Sequence, residues 1–156
     1  MSLSRDENHG RCERTLPASE FVSEEPVQLV LSAVDTGISL VRVEFKSDLD
    51  GDECILSGFL TALSYIGDMM FPQPFDRMTF GQYTMILRVE APFLFCYVFS
   101  GSAVQASRRL CEFIKVLREN TPLLNSLKNT IAFGIVDKAA KSSIKEIATR
   151  IFGGPR

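Results

Sequence analysis

The sequence holds one histidine, His9, and it stands in a polar stretch ahead of every apolar block. A Ser-His or Cys-His nucleophile needs an imidazole within hydrogen-bond reach. Such a pair is excluded here unless residues 1–25 fold back. Cys12, Cys54, Cys96 and Cys111 are scattered, with no Cys-x-x-Cys pair, so the ligands of a tetrahedral zinc site are missing. Asp48-Leu49-Asp50-Gly51-Asp52-Glu53 has the carboxylate density of a calcium loop. With Asp48 at the first position, however, Glu53 stands where the sharp turn needs glycine. Phe59 stands where a bidentate glutamate belongs. A strand-to-helix loop is the better reading. Asp68, Asp76, Glu90 and Glu112 could pair as acid and base, yet they fall near element ends or on helical faces, where carboxylates are usually solvated. Neither GxxxxGK[ST] nor GxGxxG occurs, so no phosphate-cradling nucleotide loop is indicated. No catalytic residue, cofactor or metal is therefore expected, and the chain reads as a non-enzyme.

The totals point the same way. A chain of 156 residues is one domain by length and long enough to bury a core without disulfide staples. Apolar residues make up 46% and charged residues 23%, an ordinary globular balance. The net charge of −2 argues against nucleic acid, which asks for a clustered basic face. Arg108, Arg109, Lys115 and Arg118 share one predicted helix and read first as a solvated face, with a phosphate or anionic-lipid contact as the alternative. No run approaches the ~18 apolar residues of a membrane helix, which leaves peripheral membrane association at most. Residues 1–25 are too polar and mixed in charge for a signal or transit peptide. With scattered cysteines, this predicts a reduced, cytoplasmic setting.

The elements that would position any site follow from the apolar blocks. Residues 1–25 read as a flexible tail, 26–152 as the domain and 153–156 as a second tail. Residues 27–34 and 38–46 are β-branched runs joined by Asp35-Thr36-Gly37, a hairpin signal. In the second run Leu40, Arg42, Glu44 and Lys46 alternate with Ser39, Val41, Val43 and Phe45, which suits an edge strand. Ser47 or Asp52 caps a helix over 53–71, whose Ile55, Leu56, Phe59, Leu60, Leu63, Ile66 and Met70 recur at helical spacing. Gly58, Ala62 and Gly67 point to close approach of another element. Met69-Met70-Phe71 reads as core first and as a partner groove second. Phe71-Pro72-Gln73-Pro74 ends the helix.

Residues 75–80 and 83–89 then read as strands, and Ala91-Pro92 turns the chain. Residues 93–99 are apolar at every position, so this strand is covered on both faces and central. Ser102 caps a helix over 103–119. Thr121-Pro122 opens the next helix as cap and first helical residue, and Gly134 stops it. A last helix spans 137–152.

The order strand, strand, helix, three strands, helices resembles the longin domain of the longin/roadblock superfamily. The residues carrying the resemblance are 55–63, 76–87, and Cys96-Tyr97-Val98-Phe99-Ser100-Gly101 with the helix that follows. The likeness spans residues 26–152 and is one of topology and apolar texture. It implies an α+β fold: a five-stranded antiparallel sheet with one helix on one face and two or three on the other. It also implies an adaptor role in vesicle trafficking or small-GTPase regulation. A partner would be a second copy, a longin or roadblock subunit, or a small GTPase, in a homo- or hetero-dimer. The chain is similar to stand-alone longin proteins, including archaeal ones, rather than to longin SNAREs, since no coiled coil follows. A roadblock-type GTPase regulator ranks second, because residues 1–25 supply no convincing leading helix.

The expected contact surface is the outward side of the 53–71 helix, Ser57, Thr61, Ser64, Tyr65 and Asp68, with the neighbouring edge strand at Phe75, Arg77 and Thr79. An edge strand offers backbone groups to a partner strand. The alternative is a small-molecule sensor of profilin-like or PAS-like type. In it Phe93, Phe95, Tyr97 and Phe99 line a pocket between helix and sheet.

Overall fold

The computed structural model describes residues 23–46, 62, 69, 76–134 and 137–153. Five strands, β1 (Glu25–Ala33), β2 (Ser39–Glu44), β3 (Arg77–Phe80), β4 (Tyr83–Glu90) and β5 (Phe93–Ser100), precede three helices, α1 (Ala103–Glu119), α2 (Thr121–Phe133) and α3 (Lys138–Phe152). The strands form one sheet in the order β2-β1-β5-β4-β3, antiparallel at every pairing. The α+β class and the five-stranded antiparallel sheet are as expected. The predicted 53–71 helix lies outside the described residues except for Ala62 and Met69, which are helical and exposed.

β5 is the middle strand, and its residues Phe93 to Phe99 are all buried. A central strand under cover on both faces has no solvent side to mark with polar residues, hence the unbroken apolar run. Alternate residues enter two separate clusters. Phe93, Phe95, Tyr97 and Phe99 join Leu29, Leu31, Val41, Val43 and Ile86 in one core with the apolar stripes of all three helices. Leu94, Cys96 and Val98 join Val27, Val30, Met85 and Leu87 in a second, and no residue of α1, α2 or α3 belongs to it.

The larger core is dominated by aromatic rings. Phe152, at the end of α3, lies with ring centroids 4.5 Å from Tyr97, 5.7 Å from Phe113 and 5.8 Å from Phe45. One side chain thereby joins α3 to α1, to the central strand and to the chain just beyond β2. Side-chain caps set the helix starts. Ser102 Oγ accepts from Gln105 N–H at 3.4 Å, and Asp137 accepts from Ala139 and Ala140 N–H. The start of α2 differs by one residue from expectation: Asn120, not Thr121, is the cap, accepting from Leu123 N–H at 3.3 Å. An Asn side chain competes for that position at least as well as Thr. Gly134 ends α2 at φ 69°, in the left-handed region glycine enters without strain.

The N-terminal boundary also differs. β1 begins at Glu25, and Glu24, placed with the tail on charge alone, is completely buried. A carboxylate is retained in such a place only when the fold supplies partners, and here it does. The packing at Gly101 is equally tight: a Cβ there would come within 2.2 Å of the Ser23 carbonyl oxygen.

Two cysteines differ sharply in environment. Burial pushes the Cys96 thiol up, while Cys111 is exposed on α1. Because the thiolate is the nucleophile, iodoacetamide is expected to modify Cys111 roughly 10²-fold faster than Cys96 in the folded chain. Peptide mass spectrometry with and without denaturant checks this. Equal rates in the native chain would mean that the second core is open.

Candidate functional site

The sheet ends in two edges of different character. β2 carries an Arg42–Glu44 salt bridge at 2.8 Å, and Lys46 just past it pairs with Glu25. Charged side chains on an edge discourage strand addition. β3 holds one charged residue, Arg77, in Arg77-Met78-Thr79-Phe80. Its register on β4 pairs Arg77 with Ile86 and Thr79 with Thr84. The Thr79 and Thr84 hydroxyl oxygens are 3.5 Å apart, and Leu87 N–H donates to Asp76 O at 2.8 Å. Being last in the order, β3 turns its other backbone edge toward no described strand.

Of the expected contact residues, the structure brings together Arg77 and Thr79. They sit two positions apart on this edge, on one face, and both are exposed. Ile86, the cross-strand partner of Arg77, belongs to the core shared with α1, α2 and α3. The pair therefore looks toward the side of the sheet where those helices pack. Ser57, Thr61, Ser64, Tyr65, Asp68 and Phe75 lie outside the described residues. Met69, expected first as core, is 74% exposed.

Of the carboxylates considered for acid–base work, Asp68 lies outside the described residues, and the other three sit on different elements. Asp76 precedes β3, and Glu112 is exposed on α1. Glu90, at the far end of β4, pairs with Arg118 at 2.9 Å. Among the described residues no group of three His, Cys, Asp or Glu is placed to share a metal ion.

The aromatic strand is packed rather than hollow over most of its length. Tyr97 and Phe99 stack at 5.3 Å, and Phe95 meets Phe113 edge-on at 6.2 Å. Among the described residues an open cleft remains at the Phe93 end, about 120 Å³ between Phe93, Phe95, Leu117 and Leu124, with Arg118 and Lys128 also lining it. Pockets that enclose small ligands run to roughly 300–1,000 Å³. The cleft is thus the size of one side chain.

The polar group that sequence reasoning missed is centred on Glu24. Its Oε1 accepts from the Tyr97 hydroxyl at 2.6 Å and from Arg109 Nη1 at 3.3 Å. The same Nη1 donates to the Phe152 carbonyl at 2.8 Å, and Glu24 N–H donates to Gln105 Oε1 at 3.3 Å. One carboxylate thereby joins the entry to β1, the central strand, α1 and the end of α3. Two signals were present: a lone phenol in an otherwise apolar central strand, and an arginine next to the apolar stripe of α1. Neither names its partner, because the contacts span most of the chain.

No protein-family model matches this chain, and no curated protein matches it in a sequence comparison. Among the described residues no helix is long and apolar enough to cross a membrane.

Proposed function

We propose that the chain is a non-enzymatic interaction module of longin type that recruits a protein partner through the β3 edge. The partner is a second copy, a longin or roadblock subunit, or a small GTPase in trafficking or GTPase regulation. The observation that carries this reading is the contrast between the two sheet edges. β2 is guarded by charge, while β3 exposes Thr79 and a single Arg77 beside a backbone edge that no described strand occupies. A strand added there forms main-chain hydrogen bonds, and Arg77 and Thr79 supply side-chain selectivity. The five-stranded antiparallel sheet is the one the longin resemblance implies, and the free Cys96 and Cys111 are in keeping with a reduced setting.

Light scattering after size exclusion, over a concentration series, tests it. We expect a dimer, and Thr79→Arg is expected to weaken it by about tenfold or more, since charge on an edge opposes strand pairing. Because Thr79 is exposed, the variant keeps the fold. A strict monomer that also retains no longin, roadblock or GTPase chain from lysate, identified by mass spectrometry, would sink the reading.

A further inference from the structure

The early turns of α1 face the segment that leads into β1. Between them is a recess of about 350 Å³ lined by Ser23, Gln105, Arg108 and Arg109. We propose that this recess binds a phosphate-bearing anion, at a site distinct from the β3 edge.

Every described lining residue brings hydrogen-bond donors, and Glu24 holds two of them in place, Arg109 through its buried carboxylate and Gln105 through its backbone N–H. Gln105 Oε1 takes the Glu24 N–H. The planar amide therefore directs its NH2 group, with two donors, away from that bond. Arg109 Nη1 donates to Glu24 Oε1 and to the Phe152 carbonyl, which uses both of its hydrogens. Among the described contacts the Nη2 and Nε hydrogens remain, and they form the fork that matches two oxygens of a phosphate. Anchoring through Nη1 fixes the plane of that fork in advance, so little side-chain freedom is lost on binding.

Arg108 adds a second guanidinium. It is exposed, and none of the ion pairs among the described residues involves it. Ser23 adds a hydroxyl. The charge balance favours an anion: Arg109 meets the buried Glu24 carboxylate, which also accepts from Tyr97, while Glu112, one turn along α1 from Arg108, is exposed and makes no ion pair with it. No acidic residue occupies the first turn of α1, so nothing there offsets the partial positive charge of the helix start. A carboxylate ligand has two oxygens. The two guanidinium groups, amide and hydroxyl present more donors than those would use, and the three terminal oxygens of a phosphomonoester fit them better.

The test is a titration of the full chain with inorganic phosphate at constant ionic strength, followed at the backbone amides of Ser23 and of residues 105 and 109 in a nitrogen–proton correlation spectrum. A saturable shift with a dissociation constant of about 1 mM is expected. Arg108→Gln and Gln105→Glu are each expected to weaken it by about tenfold or more. Both positions are exposed, and Gln105→Glu keeps an oxygen for the Glu24 N–H, so the remaining spectrum should be unchanged. Sedimentation with phosphatidylcholine vesicles, with and without phosphatidic acid, then separates two sources of the same chemistry. Co-sedimentation that needs phosphatidic acid and Arg108 assigns a lipid headgroup, whereas phosphate binding without it assigns a soluble phosphomonoester. Absence of a saturable shift, or an equal shift with chloride, or an unchanged affinity in both variants overturns the proposal.

Discussion

Phe152→Ala is expected to destabilise the domain by about 3–5 kcal/mol, the range for truncating a fully buried phenylalanine. Its ring has no solvent exposure and meets Tyr97, Phe113 and Phe45. The neighbours belong to β5, α1 and the end of the β1–β2 hairpin, elements held by their own hydrogen bonds. They cannot all move inward to fill the space, so the cavity term adds to the lost transfer energy. At ~2–4 °C per kcal/mol for a chain of this size, the melting temperature should fall by roughly 10 °C. Urea unfolding checks it: the midpoint should drop while the slope stays constant. A loss below about 1 kcal/mol would mean that α3 is not packed on the sheet as described.

Arg109→Met is expected to cost about 3–5 kcal/mol as well, by a different route: it leaves a buried carboxylate without its cation. Glu24 has no solvent exposure, whereas the Arg109 side chain is 23% exposed. The guanidinium therefore stays partly hydrated while neutralising a group that is not. Methionine preserves much of the aliphatic stem, so the loss reports charge and hydrogen bonds more than packing. Tyr97→Phe, which removes only the 2.6 Å phenolic donor, should cost less, about 1–3 kcal/mol. The decisive comparison is the double variant Glu24→Gln, Arg109→Met. With the charge gone, much of the Arg109→Met penalty should disappear, giving a coupling of about 1–3 kcal/mol in a denaturation cycle. Strict additivity would mean that the carboxylate and guanidinium do not depend on each other.

How far the sequence reveals this fold depends on the range of the forces involved. The unbroken run Phe93–Phe99 announces a central strand, because covering both faces is a condition each residue feels separately. Gly134 and Asp137 announce helix ends, because capping acts within a few residues. The one-residue shift at Asn120 is a contest between two adjacent capping side chains, decided by a hydrogen bond that composition does not rank. Glu24 could not be read at all. Ahead of Pro26 it is one acid among several, and its burial depends on Tyr97, Gln105 and Arg109, all far along the chain. For the contact surface, sequence reasoning recognised the edge strand but not which way it looks. The face of Arg77 and Thr79 follows from the pairing of Arg77 with Ile86, a register that alternation in so short a strand does not fix. For the anion recess the sequence offers a phosphate or anionic-lipid contact at Arg108 and Arg109 only as a second reading, and it does not show the other walls. Arg108 and Arg109 look like ordinary solvated charges until Ser23 is seen beside them.

The placement of β5 between β1 and β4 has a consequence for how the domain is made. The pairing joins Leu29 to Tyr97 and Ala33 to Phe93, so the inner edge of β1 is completed by a strand translated long afterwards. At about 5–20 residues per second, a ribosome needs roughly 3–12 s to travel from the β1–β2 hairpin to β5. Through that interval Val27, Leu29, Val30 and Leu31 have an open apolar edge and no core to enter. Nascent chains stalled before residue 93 should therefore remain protease-sensitive and be held by chaperones. Chains stalled beyond α3, with the whole sheet clear of the exit tunnel, should not. Synthesis of this domain is a wait for its middle, and the hairpin made first is the last part that can be considered safe.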